Sequence, residues 1–266
     1  MKTIRARNII TVFISKLNCT ILKPKLKGSP EFKPFILTFD DGPNSVDSTT
    51  LDLLDVLKNH NVKVFFCLIG ENVRQHPHIV KQIYSDGHIL ANHGNTAEIF
   101  VLKKFKDLHK DIEACNNSIY DAIDNNDLKI EYFRPSWGVY RSKHKPIWEN
   151  NDMSLLPVTD FHFDHLISHP GKERFISKFI EEVKHNHGGI YVFHDGRNKF
   201  SKIEKKVNTA KTKNKPSNYD RTWVPMAVDK IITELKKENF SFPPLNDALA
   251  NKLPHEFKNF LFEKIN

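Results

Sequence analysis

Two carboxylates stand side by side in Thr38-Phe39-Asp40-Asp41-Gly42-Pro43, between an apolar run and a Gly-Pro turn signal. Adjacent acids seldom serve a core, because burying them is costly. Neighbouring residues point differently, so the pair can divide the work. One carboxylate can bind a metal while the other acts as a base toward water. Further along stand His93, Arg134, Asp160 and His194-Asp195, each at the end of an apolar run. A divalent cation makes a nucleophile of water near neutral pH. A histidine can give or take a proton near pH 7.

The elements that must position these groups read as alternating strands and helices. Pro34–Phe39 is an apolar strand, and Thr50–His60 carries Leu51, Leu54 and Leu57 at helical spacing. Val62–Ile69 is a second strand, ended by Gly70. Pro77–Asp86 is a helix closed by Gly87, His88–Asn92 a third strand, and Val101–Ile123 a long helix. Glu131–Arg134 and Leu155–Thr159 are short strands, Lys172–His187 is helix-like, and Gly189–Phe193 is a strand. Trp223–Glu238 closes the series as an amphipathic helix. This βα repeat predicts one α/β domain with mostly parallel strands, open or closed into a barrel. In such folds the reactive groups gather beyond the carboxyl ends of the strands, where the acids, His93, Arg134 and His194 fall.

In motif order the chain resembles the polysaccharide deacetylases, carbohydrate esterase family 4, from about Phe35 to Leu249. Thr38–Pro43 matches the family's opening motif residue for residue. Val64-Phe65-Phe66 with Gly70, Gly87-His88-Ile89 and Asn92-His93 match its next block. Phe133-Arg134-Pro135-Ser136-Trp137-Gly138 is similar to its Arg-x-Pro motif, and Ile190–Gly196 to its last strand. Asp220-Arg221-Thr222-Trp223 through Leu235 resembles its closing helix.

The resemblance implies a single distorted (β/α) barrel that removes an N-acetyl group from an amino sugar of a glycan or glycolipid. Asp40 would be the base, with Arg134 holding it. Asp41 and His93 would hold a divalent metal, zinc in most of the family. A backbone N–H near Trp137 would help stabilise the oxyanion. His194 would be the acid, tuned by Asp160 or Asp164. Pro135, Trp137 and Tyr140 would meet the substrate, Trp137 offering a sugar-stacking face. The chain departs from the family where a second metal-binding imidazole is usual. His93-Gly94-Asn95-Thr96-Ala97 puts Ala97 there, and Ala cannot ligate. Extra water, Glu98, His109, His162, His165 or His169 would have to substitute. Otherwise the barrel is a metal-free hydrolase of another C–N bond, such as a cyclic amide, or a glycan-binding module.

The formal net charge of +8 is unevenly placed. Residues 1–33 and 197–215 each carry +7, leaving −6 on the rest. A mildly acidic body argues against a nucleic-acid partner. The two basic segments suit a phosphate-bearing or lipid-linked glycan, or peripheral contact with an anionic membrane surface. The expected division is a basic N-terminal extension over 1–33 and a catalytic domain over 34–250. That domain would contain a basic loop insert, 197–220, and be followed by a tail over 251–266. Ile9–Ile14 is a six-residue apolar run after Lys2, Arg5 and Arg7, too short for a signal-peptide core or a membrane span. A cytoplasmic or membrane-peripheral location is expected. Cys19, Cys67 and Cys115 have no CxxC spacing, so no disulfide scaffold is expected. The sequence leaves the oligomeric state open.

Overall fold

A computed structural model describes residues 20–21, 28–44, 49–160, 162, 164, 171–196 and 221–243. Two strands lie outside the main sheet: β1 (Thr20–Ile21) pairs antiparallel with β6 (Val139–Tyr140). The main sheet is β2 (Phe35–Gly42), β3 (Phe65–Leu68), β4 (Ile89–Asn92), β5 (Tyr132–Phe133), β7 (Ser154–Leu155) and β8 (Gly189–His194). All its pairs are parallel, in the order β7-β5-β4-β3-β2-β8. The sheet curls until its edges approach. Leu155 pairs with Phe133 on one edge, and five residues later Asp160 bridges Tyr191 on the other. The Thr159 amide donates to the Ile190 carbonyl at 2.7 Å, and the Ile190 amide to Thr159 Oγ1 at 2.8 Å. Segment 156–160 therefore closes the distorted (β/α) barrel expected from the motifs.

Helices α1 (Thr49–His60), α2 (Gly70–Gln75), α3 (Pro77–Ser85), α4 (Phe105–Ile123), α5 (Lys145–Glu149), α6 (Lys172–His185) and α7 (Val224–Lys237) cover the outside. Strand alternation sorts the apolar residues into two layers. Ile36, Phe65, Cys67, Ile89, Ala91, Tyr132 and Ile190 point into the barrel. Phe35, Leu37, Phe39, Phe66, Leu68, Leu90, Phe133, Tyr191 and Phe193 point outward to the helices. The outer layer is aromatic around β8. The Phe193 ring meets Phe179 at 5.1 Å, Phe175 at 5.9 Å and Trp223 at 6.4 Å. Phe193→Ala should cost about 3–5 kcal/mol through lost burial and the cavity left. Urea unfolding followed by tryptophan fluorescence measures it.

The structure adjusts several expectations. On α1 the buried leucines are Leu53, Leu54 and Leu57, while Leu51 is 37% exposed. The helix predicted over Val101–Ile123 begins at Phe105, after a 3₁₀ turn over Phe100–Leu102. The long second strand shortens to Phe65–Leu68 and is followed at once by α2. Residues 28–33 are integrated in the fold: the Ser241 amide donates to the Lys33 carbonyl, and the Lys33 ammonium lies over the Phe240 ring. Most of residues 1–27, the basic insert 197–220 and the tail 251–266 lie outside the described residues. Cys67 and Cys115 are buried free thiols. Among the described residues no helix is long and apolar enough to cross a membrane.

Candidate active site

The inward parity of each strand continues past its carboxyl end. Ile36 and Thr38 lead to Asp40, Ile89 and Ala91 to His93, Tyr132 to Arg134, and Ile190 and Val192 to His194. Four side chains from four strands thus meet over one end of the barrel. β2 and β8 are in register there, with Asp40 paired directly to His194.

Asp41 should face outward by the same alternation. A bulge prevents this: Asp40 pairs with Cys67 and Gly42 with Leu68, leaving Asp41 as the extra residue, at φ 71°. The left-handed backbone swings its carboxylate back over the barrel. Asp41 Oδ1 lies 3.4 Å from His93 Nε2, and Asp40 Oδ2 lies 3.8 Å from it. All three residues are buried.

Arg134 crosses the barrel interior and is completely buried. Its guanidinium donates to Asp40 Oδ1 at 2.6 Å, Thr38 Oγ1 at 2.6 Å, the Leu156 carbonyl at 3.2 Å and the Pro157 carbonyl at 3.1 Å. One carboxylate oxygen of Asp40 is thereby fixed and the other turned toward His93. The Arg134 carbonyl accepts from His93 Nδ1 at 2.7 Å. A carbonyl only accepts, so Nδ1 carries a proton, and Nε2 is the ring nitrogen that faces Asp41.

His194 is held by Asp164, not by Asp160. Asp164 Oδ1 lies 2.6 Å from Nδ1, and Oδ2 accepts from the His194 amide at 2.9 Å. The correction follows from the closing segment. Asp160 bridges Tyr191, three residues before His194, so only a residue further along reaches the strand end. Burial alone would lower the His194 pKa. The Asp164 carboxylate, with Asp41 and Asp40 further off, reverses this and raises it to about 9.

The aromatic expectations divide. Trp137 is 40% exposed with φ 72° and offers its ring at the rim. Tyr140 is 8% exposed and packs edge-on against Trp148 at 5.6 Å, so it belongs to the core and not to a substrate surface. Pro135 is buried, its carbonyl accepting from the Gly138 amide. Of the substitute ligands weighed for Ala97, Glu98 is exposed and His109 pairs with Glu113 on α4. His162 sits against α6, and His165 and His169 lie outside the described residues.

Two supports were not legible from residue type. Asp195 is fully buried behind Gly42, receives the Thr50 hydroxyl at 2.7 Å, and accepts Asn44 Nδ2 on its carbonyl. Burial pushes its carboxyl up to about 7 despite the Thr50 hydrogen bond. A Cβ on Gly42 would stand 2.5 Å from Asp195 Oδ2, so only glycine fits at this bend. The other support underlies the 94–97 loop. Lys103 Nζ is 2.7 Å from Asp111 Oδ1, and Asp111 Oδ2 accepts from the Asn95 amide at 3.2 Å.

Asp41 and His93 suit a divalent ion of the zinc type. Two ligands about 2.1 Å from a tetrahedral centre stand about 3.4 Å apart, the separation seen between Asp41 Oδ1 and His93 Nε2. One carboxylate oxygen and one oriented imidazole nitrogen are also the donors zinc prefers.

A family model described as polysaccharide deacetylase matches residues 27–155. A chitooligosaccharide deacetylase of Rhizobium leguminosarum bv. trifolii is 29% identical over 167 residues, 60% of this chain and 70% of that protein. A peptidoglycan-N-acetylglucosamine deacetylase of Bacillus cereus is 27% identical over 225 residues, 83% of this chain and 90% of that protein. Among solved structures, a carbohydrate esterase family 4 pseudoenzyme from Bacillus anthracis superposes with a TM-score of 0.62 at 19% identity. That match covers 81% of this chain and 65% of the other. In its motifs and its barrel, this chain is similar to the polysaccharide deacetylases, whose family model matches residues 27–155.

Proposed function

We propose that the protein is a hydrolase that removes the N-acetyl group from an amino sugar of a glycan, with Asp40 as base and His194 as acid. The observation that carries this reading is the register pairing of Asp40 with His194 beside the 3.4 Å Asp41–His93 pair. The named relatives act on chitooligosaccharide and peptidoglycan, so an N-acetylated amino-sugar polymer is the substrate class.

An ion held by Asp41 and His93 would supply Lewis-acid polarisation of the acetyl carbonyl and a water acidic enough to ionise near neutral pH. Asp40 takes the proton from the attacking water through Oδ2, because Arg134 occupies Oδ1. His194 enters the reaction protonated on both ring nitrogens. Nδ1 stays bonded to Asp164, and Nε2 delivers its proton to the leaving nitrogen. Trp137 gives the sugar an apolar face at the rim.

Acetate release from N-acetylated chitooligosaccharides and from peptidoglycan, with added Zn²⁺ or Co²⁺, tests the reading. Folded protein that releases none from any of them would overturn it. Ala97 motivates a second reading, a glycan-binding module on the same barrel. Glycan binding without acetate release would establish that instead, and activity surviving chelation would point to metal-free C–N hydrolysis. With two donors in place of three, metal affinity should be the limiting property. Ala97→His is expected to tighten Zn²⁺ binding about 10-fold or more, measured by competition with a chromophoric chelator. Unchanged affinity would place the remaining ligands elsewhere.

A further inference from the structure

A second set of ligand-type side chains lies away from the strand-end cluster. Asp160, His162 and Glu182 each present one ligand atom, and these atoms lie within 4.8 Å of one another. Asp160 is at the level of Tyr191, three residues before His194, and Glu182 is on the outer helix α6. The set therefore joins the barrel's closing segment to a covering helix.

His162 is 8% exposed. The rings of Phe179 at 4.6 Å, Tyr191 at 5.6 Å and Phe175 at 6.5 Å surround it. Its Nε2 approaches Glu182 Oε2 at 3.1 Å, yet among the described residues neither ring nitrogen makes a hydrogen bond. An imidazole removed from water with both nitrogens unsatisfied is unfavourable and calls for an explanation. Two carboxylates converge on that ring.

A cation resolves both features. One imidazole nitrogen with two carboxylate oxygens is a donor set for zinc and neighbouring divalent transition ions. Ligand atoms around such an ion stand about 3.4 Å apart, and His162 Nε2 and Glu182 Oε2 are already at 3.1 Å. We propose that Asp160, His162 and Glu182 bind a divalent transition-metal ion that ties the closing segment 156–160 to α6. The ion is structural and distinct from one held by Asp41 and His93. It braces the segment just ahead of Asp164. The proposal does not depend on the deacetylase reading, and its test needs no substrate.

The full chain carrying Asp41→Asn and His93→Gln removes the strand-end donors. After dialysis with Zn²⁺ and then metal-free buffer, this variant should retain about one equivalent of zinc. Added Zn²⁺ should raise its Tm by about 5 °C or more. Adding Glu182→Gln, a surface change, or Asp160→Asn should weaken binding about 100-fold or more and remove the Tm shift. If the double variant does not fold, Glu182→Gln in the otherwise unaltered chain should lose one equivalent and part of the shift. No retained zinc, or retained zinc that neither Glu182→Gln nor Asp160→Asn weakens, would overturn the site.

Discussion

Asp40→Asn is expected to lower kcat by about 10²- to 10⁴-fold, the contribution of a positioned general base. The replacement keeps the size and one acceptor oxygen but removes the group that takes the proton. It also changes the fold's energetics, and the two effects need separating. Arg134 is completely buried, and Asp40 is the carboxylate it contacts at 2.6 Å. Removing one partner of a buried ion pair typically costs about 3–5 kcal/mol, because the remaining charge is left uncompensated. Thr38 and the Leu156 and Pro157 carbonyls still accept from the guanidinium and soften that loss. Turnover is therefore measured well below the variant's Tm, with urea unfolding alongside. The double variant Asp40→Asn/Arg134→Met removes both charges and should regain stability without regaining activity. Near-native kcat in Asp40→Asn would show that another group is the base.

His194→Ala should likewise cost about 10²- to 10⁴-fold in kcat, and Asp164→Asn should move the pH profile. The acid must be protonated to donate, so the rate falls as pH rises through its pKa. Burial depresses that pKa, and Asp164, with smaller contributions from Asp41 and Asp40, lifts it to about 9. A cation held at Asp41 and His93 would offset those smaller contributions and bring the alkaline limb below 9. In Asp164→Asn the largest lifting charge is gone and burial dominates. The limb should fall below 6.5, with most activity lost at pH 7.5 and part retained at pH 5.5. An unmoved limb would remove His194 from the acid role. Stability follows the same sign. The folded pKa lies above the unfolded value of about 6.5, so the pair's contribution is complete below pH 6.5. It disappears as pH rises through 9. Urea midpoints at pH 6 and pH 9.5 should differ less in His194→Ala than in the unaltered chain.

Much of this site was legible in the chain because strand alternation is local. Once Pro34–Phe39, His88–Asn92, Glu131–Arg134 and Gly189–Phe193 are read as parallel strands, Asp40, His93, Arg134 and His194 must reach the same end of the sheet. Asp164 was only one of two candidates, because neither its distance nor that of Asp160 in sequence says where the closing segment meets β8. The family resemblance puts Tyr140 at the substrate with Trp137 and Pro135. Its pairing opposite Thr20 and its packing on Trp148 turned it inward. Position along a loop does not determine which way a side chain faces when a distant segment supplies the pairing.

The sequence by itself determined the βα order, the motif set and the Ala97 departure, since periodicity, turn residues and residue identity are properties of neighbours. Tertiary structure alone decided three things. The bulge between Asp40 and Gly42 places both adjacent carboxylates over His93, although alternation would have separated them. The bridge of Asp160 to Tyr191 selects Asp164 as the partner of His194. The approach of α6 to that same segment gathers Asp160, His162 and Glu182. Each depends on a register or contact between chain segments far apart in sequence. Which of these forms is set by hydrogen-bond pairing and packing of the whole barrel, and not by the residues on either side.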